Sequence, residues 1–175
     1  EQKKPNIVII MADDMGYGDL GCYGSESIST PNLDGIASDG VQFTSFFSSA
    51  SICSPSRCGL LTGRYPARTG VTGVYFPSQN LATPVIHGAT GVGEGMNTNE
   101  IISAQVLKDA GYNTCCIGKW HLGDKKEYRP NHRGFDHYMG LHYSNDMLPL
   151  PLYRNDRIIK RSPVDQNYLT RWYTL

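Results

Sequence analysis

Long apolar runs are missing from this sequence of 175 residues. The longest one, Ile7 to Ala12, is far shorter than the roughly 20 residues that cross a membrane as a helix. The chain also opens without the charged and apolar regions of a signal peptide. We therefore expect a soluble chain from which any signal peptide has already been removed.

An excess of one charge is missing as well. Sixteen Lys and Arg residues balance sixteen Asp and Glu residues, and neither sign is gathered into a block. Nucleic acids and anionic membranes attract strongly basic surfaces. The charge balance therefore predicts no nucleic-acid partner and no membrane partner, and it favours a small molecule instead.

Paired cysteines are also lacking. The five cysteines, Cys22, Cys53, Cys58, Cys115 and Cys116, contain no C-x-x-C pair, so neither a zinc ribbon nor a closed disulfide framework is indicated. Because their number is odd, at least one thiol is left over. The adjacent Cys115 and Cys116 lie in a strand-like run and would point to opposite faces, so we expect no bond between them.

What the sequence does contain is an alternation of strand and helix patterns. Asn6 to Met11 carries a continuous β-branched run, which is typical of a strand buried on both faces of a parallel sheet. Helical patterns with an early proline and a closing glycine follow at Thr30 to Gly40 and at Pro55 to Gly63. This order predicts an α/β fold with a mainly parallel central sheet. Further predicted elements are strands at Val41 to Phe47 and Tyr112 to Ile117, and a helix between Asn99 and Gly111.

Two segments have no strand or helix of their own. Gly70 to Gly95 is rich in glycine and proline without a clear period, which predicts a long loop that would shape a substrate entrance. Thr170 to Leu175 has the pattern of a helix start that the end of the sequence cuts off.

Adjacent carboxylates, Asp13 and Asp14, leave the first predicted strand. They repel each other unless a cation holds them, and hard oxygen ligands suit calcium or magnesium; a solvated turn is the alternative. The next residues, Gly16 to Gly21, spell the G-x-G-x-x-G of dinucleotide-binding turns. That interpretation lacks its context, because Cys22 to Ser25 continues as a turn rather than as the helix that would receive a pyrophosphate.

A thiol, Cys53, lies just before the second helical segment. A helix N-terminus and Arg57 would both favour negative charge on Cys53, and a plain cysteine nucleophile is one interpretation. Cys58 and Arg64 match the C-x5-R spacing of thiol phosphatases. Cys58 would however fall inside the helix, where its amide is not free to hold phosphate. The other interpretation of Cys58 is a packed thiol.

A lysine and a histidine leave the predicted strand at Tyr112 to Ile117. Lys119 carries a point charge that suits a tetrahedral oxyanion, and His121 is the usual kind of proton carrier near neutral pH. Taken alone, they would fit a surface lysine and a hydrogen-bonded histidine equally well. Like Asp13 and Asp14, they follow the carboxyl ends of predicted strands, where open α/β sheets bind their ligands.

Together, these motifs resemble the type I sulfatases. The runs Cys53-Ser54-Pro55-Ser56-Arg57 with Leu60-Leu61-Thr62-Gly63-Arg64, and Gly118-Lys119-Trp120-His121, look like the two signatures of that family. Asp13-Asp14 resembles its metal-binding opening. The resemblance extends from about Pro5 to the end and is strongest to arylsulfatases and galactosamine-6-sulfatase-like enzymes. It implies an alkaline-phosphatase-like α/β fold, with residues 1–175 as the N-terminal part of a single catalytic domain truncated at its C-terminus.

The resemblance implies hydrolysis of sulfate monoesters by a modified residue. Cys53 would be converted to formylglycine by a formylglycine-generating enzyme. One hydroxyl of its hydrate would attack sulfur and displace the alcohol, and the other would later collapse the sulfated hemiacetal and expel sulfate. Asp13, Asp14 and the modified Cys53 would ligate calcium, with magnesium as the alternative ion. The substrate would be a sulfated small molecule or glycan.

The resemblance also implies roles for residues of the two signatures and beyond. Arg57 and His121 would hold and deprotonate the hydrate. Lys119 would bind the sulfate, and Ser144, in Tyr143-Ser144-Asn145-Asp146, would contact it.

Part of the family's machinery has no counterpart in this chain. An Asp-Asn pair of metal ligands, a leaving-group histidine and a second lysine are missing, and His132, His137 and His142 are not obvious substitutes. Because calcium takes about 6 to 8 oxygen ligands, we expect residues 1–175 alone to be inactive.

A catalytically silent homologue is the alternative function. It would bind sulfated polysaccharide in the extracellular matrix, with Cys53 left as a thiol. Formylglycine formation from cysteine in eukaryotes implies passage through the secretory pathway, and hence a lysosomal or extracellular location. The sequence contains no Asn-x-Ser/Thr site, so glycosylation offers no support for this location.

Overall fold

The computed structural model describes residues 3–78 and 95–161. The chain forms two compact units, Glu1–Phe47 and Ser48–Leu175. The helix start predicted at Thr170 to Leu175 and residues 79–94 of the predicted loop lie outside the described residues. Within the described part, no helix is long and apolar enough to cross a membrane.

The first unit contains one described α-helix, α1 (Pro31–Asp39), which confirms the helix predicted from its early proline and closing glycine. The hydroxyl of Thr30 donates to the Asp34 carboxylate and accepts the N–H of Gly21. Asp34 also accepts the N–H of Cys22 at 2.8 Å. Polar side chains therefore tie the start of α1 to the short turn before it.

The two strands predicted in the first unit are absent from the structure. Neither Asn6 to Met11 nor Val41 to Phe47 adopts strand structure, and the side chains of Ile7 to Ile10 are at least half exposed. A strand is stabilised by hydrogen bonds to a neighbouring strand. An apolar run records a preference for burial, but it cannot by itself supply that neighbour.

The second unit begins with α2 (Cys53–Thr62), α3 (Pro66–Thr69) and, after the undescribed segment, α4 (Ser103–Asp109). Helix α2 begins two residues before the predicted Pro55 and ends at Gly63, whose φ of 66° is the left-handed conformation that glycine adopts readily. Helix α4 is shorter than the helix predicted between Asn99 and Gly111, since it begins at Ser103 and ends at Asp109.

A four-stranded sheet follows, with the order β1 (Cys115–Lys119), β2 (His137–Leu141), β3 (Leu152–Arg154) and β4 (Arg157–Lys160). Strands β1 and β2 are parallel, and the other two pairings are antiparallel. The α/β class is thus confirmed, and the described sheet is mixed. Gly140 lies opposite Gly118, and a Cβ at Gly140 would overlap the Gly118 carbonyl oxygen, so the close approach of β1 and β2 requires glycine there.

The core of the second unit packs around the end of β1. Trp120 is buried, meets the Phe135 ring edge-on and donates from its indole nitrogen to the Tyr128 carbonyl at 2.9 Å. The buried guanidinium of Arg133 donates to the carbonyls of Asn97 and Glu100. Buried polar groups with such partners fix a segment in one position. The residues that follow β1 therefore start from a firmly packed position.

All five cysteines are free thiols. Cys115 is exposed and Cys116 is partly buried, as expected for neighbours on opposite faces of a strand. Burial raises the pKa of the Cys116 thiol to about 12. The absence of a Cys115–Cys116 bond, predicted from the strand pattern, is confirmed.

Candidate functional site

The first element of the site is the start of α2. Cys53 is the first residue of this helix and is half-buried, while Ser54, Pro55 and Ser56 are buried behind it. Helix N-termini carry unpaired N–H groups and a partial positive charge. The fold thus places residue 53 at the edge of a packed turn, where negative charge is stabilised.

Arg57 joins α2 to the end of β1. Its Nη1 donates to the carbonyl oxygen of Lys119 at 2.6 Å, across 62 positions of sequence. Its charge also acts on Cys116, opposing the burial that raises the pKa of that thiol. Helix α2 and the carboxyl end of β1 therefore meet through a charged side chain.

Lys119 and Ser144 converge at the same end of the sheet. Lys119 pairs with Leu141 at the end of the parallel β1–β2 ladder, and its Nζ donates to the Ser144 hydroxyl at 3.2 Å. Ser144 opens a turn that the N–H of Met147 closes at 3.1 Å. A hydrogen bond with Ser144 lowers the pKa of Asp146, and the charge of Lys119 acts in the same direction.

His121 is completely buried and has a left-handed backbone with φ of 62°. Its N–H donates to the His142 carbonyl, and its ring meets the Tyr143 ring edge-on at 5.7 Å. Its Nε2 lies 2.9 Å from the carbonyl oxygen of Tyr75. A non-glycine residue in this conformation is uncommon, and here it is held at the backbone and at the ring.

The five residues of the second unit to which the resemblance gives roles thus occupy adjoining elements. Contacts join Arg57 to Lys119 and Lys119 to Ser144. His121 is linked through Tyr75 to Ser54, whose hydroxyl accepts the Tyr75 N–H. These residues are Cys53, Arg57, Lys119, His121 and Ser144.

The other histidines of the second unit lie elsewhere. His132 bonds the exposed Asp156 carboxylate, and His137 is exposed at the start of β2. His142 is buried between the rings of Tyr138 and Tyr153, and desolvation lowers its pKa to about 4.

Asp13 and Asp14 belong to the first unit, where Asp14 has a left-handed φ of 57°. Their carboxylate oxygens are of the kind that calcium accepts. Within residues 3–78 and 95–161, no three His, Cys, Asp or Glu side chains are grouped as a metal site requires. Calcium binding by this pair therefore stays a prediction, with further ligands needed from other residues.

The dinucleotide alternative finds no support at Gly16 to Gly21. This segment contains only three-residue 3-10 turns, at Tyr17–Asp19 and Gly21–Tyr23, in place of a helix N-terminus. The Asp19 carboxylate accepts the Gly16 N–H at 2.6 Å. A negative group thus occupies an amide that a pyrophosphate would need.

The thiol-phosphatase alternative fails on burial. Cys58 is completely buried inside α2, and burial raises the pKa of its thiol. Arg64, which completes the C-x5-R spacing, donates from Nη1 to both carboxylate oxygens of Glu100, at 2.7 and 2.8 Å. Cys58 is the packed thiol that the sequence also allowed.

Ser54 and Tyr75 are parts of the site that the sequence motifs do not mark. Ser54 stands inside the Cys-x-Pro-x-Arg run, but at one of its variable positions. Tyr75 lies in the segment predicted to be an entrance loop, and no local pattern marks it. Only a contact across 46 positions of sequence, with His121, gives it a place in the site.

With this geometry in view, comparison with known proteins decides the family. The family model for sulfatases matches residues 5–174. The chain belongs to the sulfatase family. Arylsulfatase G of Mus musculus is 53% identical over 144 residues, which cover 82% of this chain and 25% of that protein. The chain thus spans about a quarter of the length of the curated relatives that it matches.

Solved structures share the fold. The crystal structure of Ps i-CgsB in complex with k-i-k-neocarrahexaose has a TM-score of 0.78 and 30% identity, covering 97% of this chain and 40% of that chain. A structure in complex with its substrate, D-glucosamine-2-N,6-O-disulfate, has a TM-score of 0.68 and 28% identity, covering 91% of this chain and 28% of that chain. The alkaline-phosphatase-like α/β architecture expected for this sulfatase chain is confirmed.

Proposed function

We propose that the polypeptide containing this sulfatase chain hydrolyses sulfate monoesters, with formylglycine formed from Cys53 and with a bound calcium ion. One observation carries the proposal. Arg57 at the start of α2, Lys119 at the end of β1 and the Ser144 hydroxyl are linked by bonds of 2.6 and 3.2 Å. Cationic and hydroxyl donors converging at strand ends suit a tetrahedral oxyanion.

Each of these side chains has a task that its chemistry allows. The Lys119 ammonium and the Ser144 hydroxyl would donate to sulfate oxygens and hold the ester in place. Arg57 would orient the hydroxyls of the modified residue 53. His121 would accept a proton, because imidazole is the side chain that exchanges protons most readily near neutral pH.

The modified residue and the metal would supply what these side chains lack. Formylglycine, once hydrated, provides a nucleophilic hydroxyl that an unmodified side chain does not. Calcium, when bound, provides positive charge next to the ester. Asp13 and Asp14 would hold the ion, and the remaining oxygen ligands would come from residues outside this chain. For that reason we expect residues 1–175 alone to be inactive.

The substrate class and the location are part of the proposal. Complexes of related structures with k-i-k-neocarrahexaose and with a disulfated glucosamine support a sulfated glycan or small sulfated sugar. Conversion of Cys53 requires a formylglycine-generating enzyme. We therefore place the protein in the secretory pathway, with a lysosomal or extracellular destination.

Mass spectrometry of the peptide that contains Cys53 tests the proposal in the full-length polypeptide. The expected result is the mass of formylglycine at residue 53, unmodified Cys58 in the same digest, and release of sulfate from an aryl sulfate. Cys53→Ala should lower turnover by at least about a thousandfold, as loss of a nucleophile does in other hydrolases.

A catalytically silent sulfatase homologue is the competing proposal. It would keep Cys53 as a thiol and bind sulfated polysaccharide in the extracellular matrix. An intact thiol together with no sulfate release from the full-length polypeptide would favour this binder and overturn the enzyme.

A further inference from the structure

Ser54, Tyr75 and His121 form a short chain of hydrogen bonds in the second unit. The Ser54 hydroxyl oxygen accepts the backbone N–H of Tyr75 at 3.2 Å. The carbonyl of the same Tyr75 lies 2.9 Å from Nε2 of His121. The exposed fractions of the three residues are 0%, 5% and 0%. The buried backbone of Tyr75 thus connects the first turn of α2 to the ring of His121.

We propose that Ser54 is a positioning residue: through the backbone of Tyr75, it determines which ring nitrogen of His121 carries the proton and where the ring lies. The inference rests on the proposed function in one respect, since it concerns the side chain to which that function gives the role of base. Position 54 is a variable position of the Cys-x-Pro-x-Arg run, so that run does not require a serine there.

The assignment of the proton follows from elementary chemistry. A carbonyl oxygen can only accept a hydrogen bond, so Nε2 of His121 must be the donor to Tyr75. A neutral imidazole has one N–H, and the lone pair is then on Nδ1. The base in the proposed reaction is therefore Nδ1. If the Tyr75 carbonyl moved away, the preference for this tautomer would weaken.

Ser54 keeps the Tyr75 carbonyl in its place. Besides its N–H bond to Ser54, Tyr75 donates from its phenol to the Gly95 carbonyl at 3.1 Å. Burial raises the pKa of this phenol to about 12, so it remains a donor. Removing the Ser54 hydroxyl would leave the buried N–H of Tyr75 without an acceptor. This is unfavourable enough to shift the Tyr75 backbone toward water.

Ser56 provides a matched control. It is a buried serine in the same helix and stands at the other variable position of the Cys-x-Pro-x-Arg run. It takes no part in the hydrogen-bond chain from Ser54 to His121. Ser54→Ala and Ser56→Ala therefore both leave the recognition context of Cys53 unchanged, and only the first removes a bond from the chain.

Steady-state kinetics of the full-length polypeptide with 4-nitrophenyl sulfate test the proposal. Ser54→Ala should lower kcat about tenfold with little change in KM, since one oriented hydrogen bond is lost. The acidic limb of the kcat profile should move to lower pH, because the carbonyl dipole no longer stabilises the protonated ring. Ser54→Thr, which keeps the hydroxyl, should restore both properties, and Ser56→Ala should match the wild type.

Nitrogen-15 NMR of the His121 ring tests the same point without any activity. The wild type and Ser56→Ala should show a neutral ring with its proton on Nε2, whereas Ser54→Ala should show a mixture with the Nδ1–H form. If the wild type released no sulfate, the proposed function would fail while this spectrum still decided the role of Ser54.

Three outcomes would overturn the proposal. The first is a folded Ser54→Ala variant with the kcat, pH profile and ring tautomer of the wild type. The second is an equal fall of kcat in Ser54→Ala and Ser56→Ala, which would indicate general packing of α2. The third is an Nδ1–H ring in the wild type, and this result would suffice even if Ser54→Ala did not fold.

Discussion

The two units of the chain differ in how their apolar residues are used. Among described residues 3–47 of the first unit none is buried, and Val8 is 81% exposed. In the second unit, a cluster that includes Ile102, Trp120 and Tyr138 is almost completely buried. The first unit nevertheless contains the longest apolar run of the sequence. Apolar composition therefore does not create a core unless separate segments converge on one another.

The contacts within each unit explain this difference. The first unit is held by polar bonds over short sequence distances, such as those among Thr30, Asp34 and Gly21. The second unit joins residues far apart in sequence, as where Arg57 reaches the Lys119 carbonyl. Burial of apolar area supplies most of the stabilisation of a fold. We therefore expect stability to depend mainly on the second unit.

The largest expected effect concerns the first unit, which has no buried core among its described residues and would still be essential for the reaction. Asp13→Ala or Asp14→Ala in the full-length polypeptide should abolish turnover and calcium binding, because the ion would lose a carboxylate ligand. Activity assays and calorimetric titration with calcium measure both properties. Asp39→Ala, which removes another carboxylate of the same unit, is the control; retained activity in the first two variants would remove these ligands from the proposal.

A second pair of variants tests the contrast in stability within residues 1–175. Leu122→Ala should lower the free energy of unfolding by about 2–5 kcal/mol, because it leaves a cavity in a packed core. Val8→Ala should change it by less than about 0.5 kcal/mol, as exposed substitutions usually do. Urea unfolding measures both values. Similar losses in the two variants would mean that the apolar run of the first unit is buried in solution.

A third measurement sharpens the contrast through pH. The pKa of His142 is lowered to about 4 by desolvation, with a further contribution from Arg129. As the pH falls, His142 is therefore protonated in the unfolded chain before it is protonated in the folded chain. The free energy of unfolding should fall by on the order of 2 kcal/mol between pH values of about 6.5 and about 4.

The variant His142→Phe isolates this contribution. It keeps an aromatic ring between Tyr138 and Tyr153 and removes the titrating group. Its free energy of unfolding should lose the part of the pH dependence that lies between about 6.5 and 4. Parallel pH curves for the wild type and the variant would contradict this account of the buried ring.

The smallest expected effect concerns a surface pair of the second unit. A hydrogen bond from Lys108 is the main cause that lowers the pKa of Asp136 to about 2, with Thr114 contributing as well. Lys108→Gln should raise this pKa toward its ordinary value, as carbon-13 NMR titration would show. The Asp136 contribution to stability is present above the ordinary pKa and disappears as the pH falls through about 2 in the wild type. An unchanged pKa in the variant would assign the shift to Thr114.

The parts of the structure that could be predicted are those governed by neighbours in sequence. Proline near the start and glycine at the end located α1 and α2, and the helical position of Cys58 identified it as a packed thiol. The face alternation of a strand separated Cys115 from Cys116. In each case, the decisive interactions span only a few residues, so the local pattern contains them.

The parts that could not be predicted depend on partners far away in the chain. Asn6 to Met11 has the composition of a buried strand but finds no partner strand among the described residues. The antiparallel addition of β3 and β4 made the sheet mixed, and no strand pattern specifies pairing direction. Tyr75 carries no local mark of its contact with His121.

The amino-acid sequence by itself determined the family, the helices with clear ends and the residue types of the candidate site, because signatures and helix caps are short and contiguous. The tertiary structure alone decided that Arg57 meets the end of β1, that Lys119 meets Ser144, and that His121 is bonded to the backbone of Tyr75. These contacts depend on how distant segments pack together, and packing is a property of the whole unit rather than of any run of residues within it.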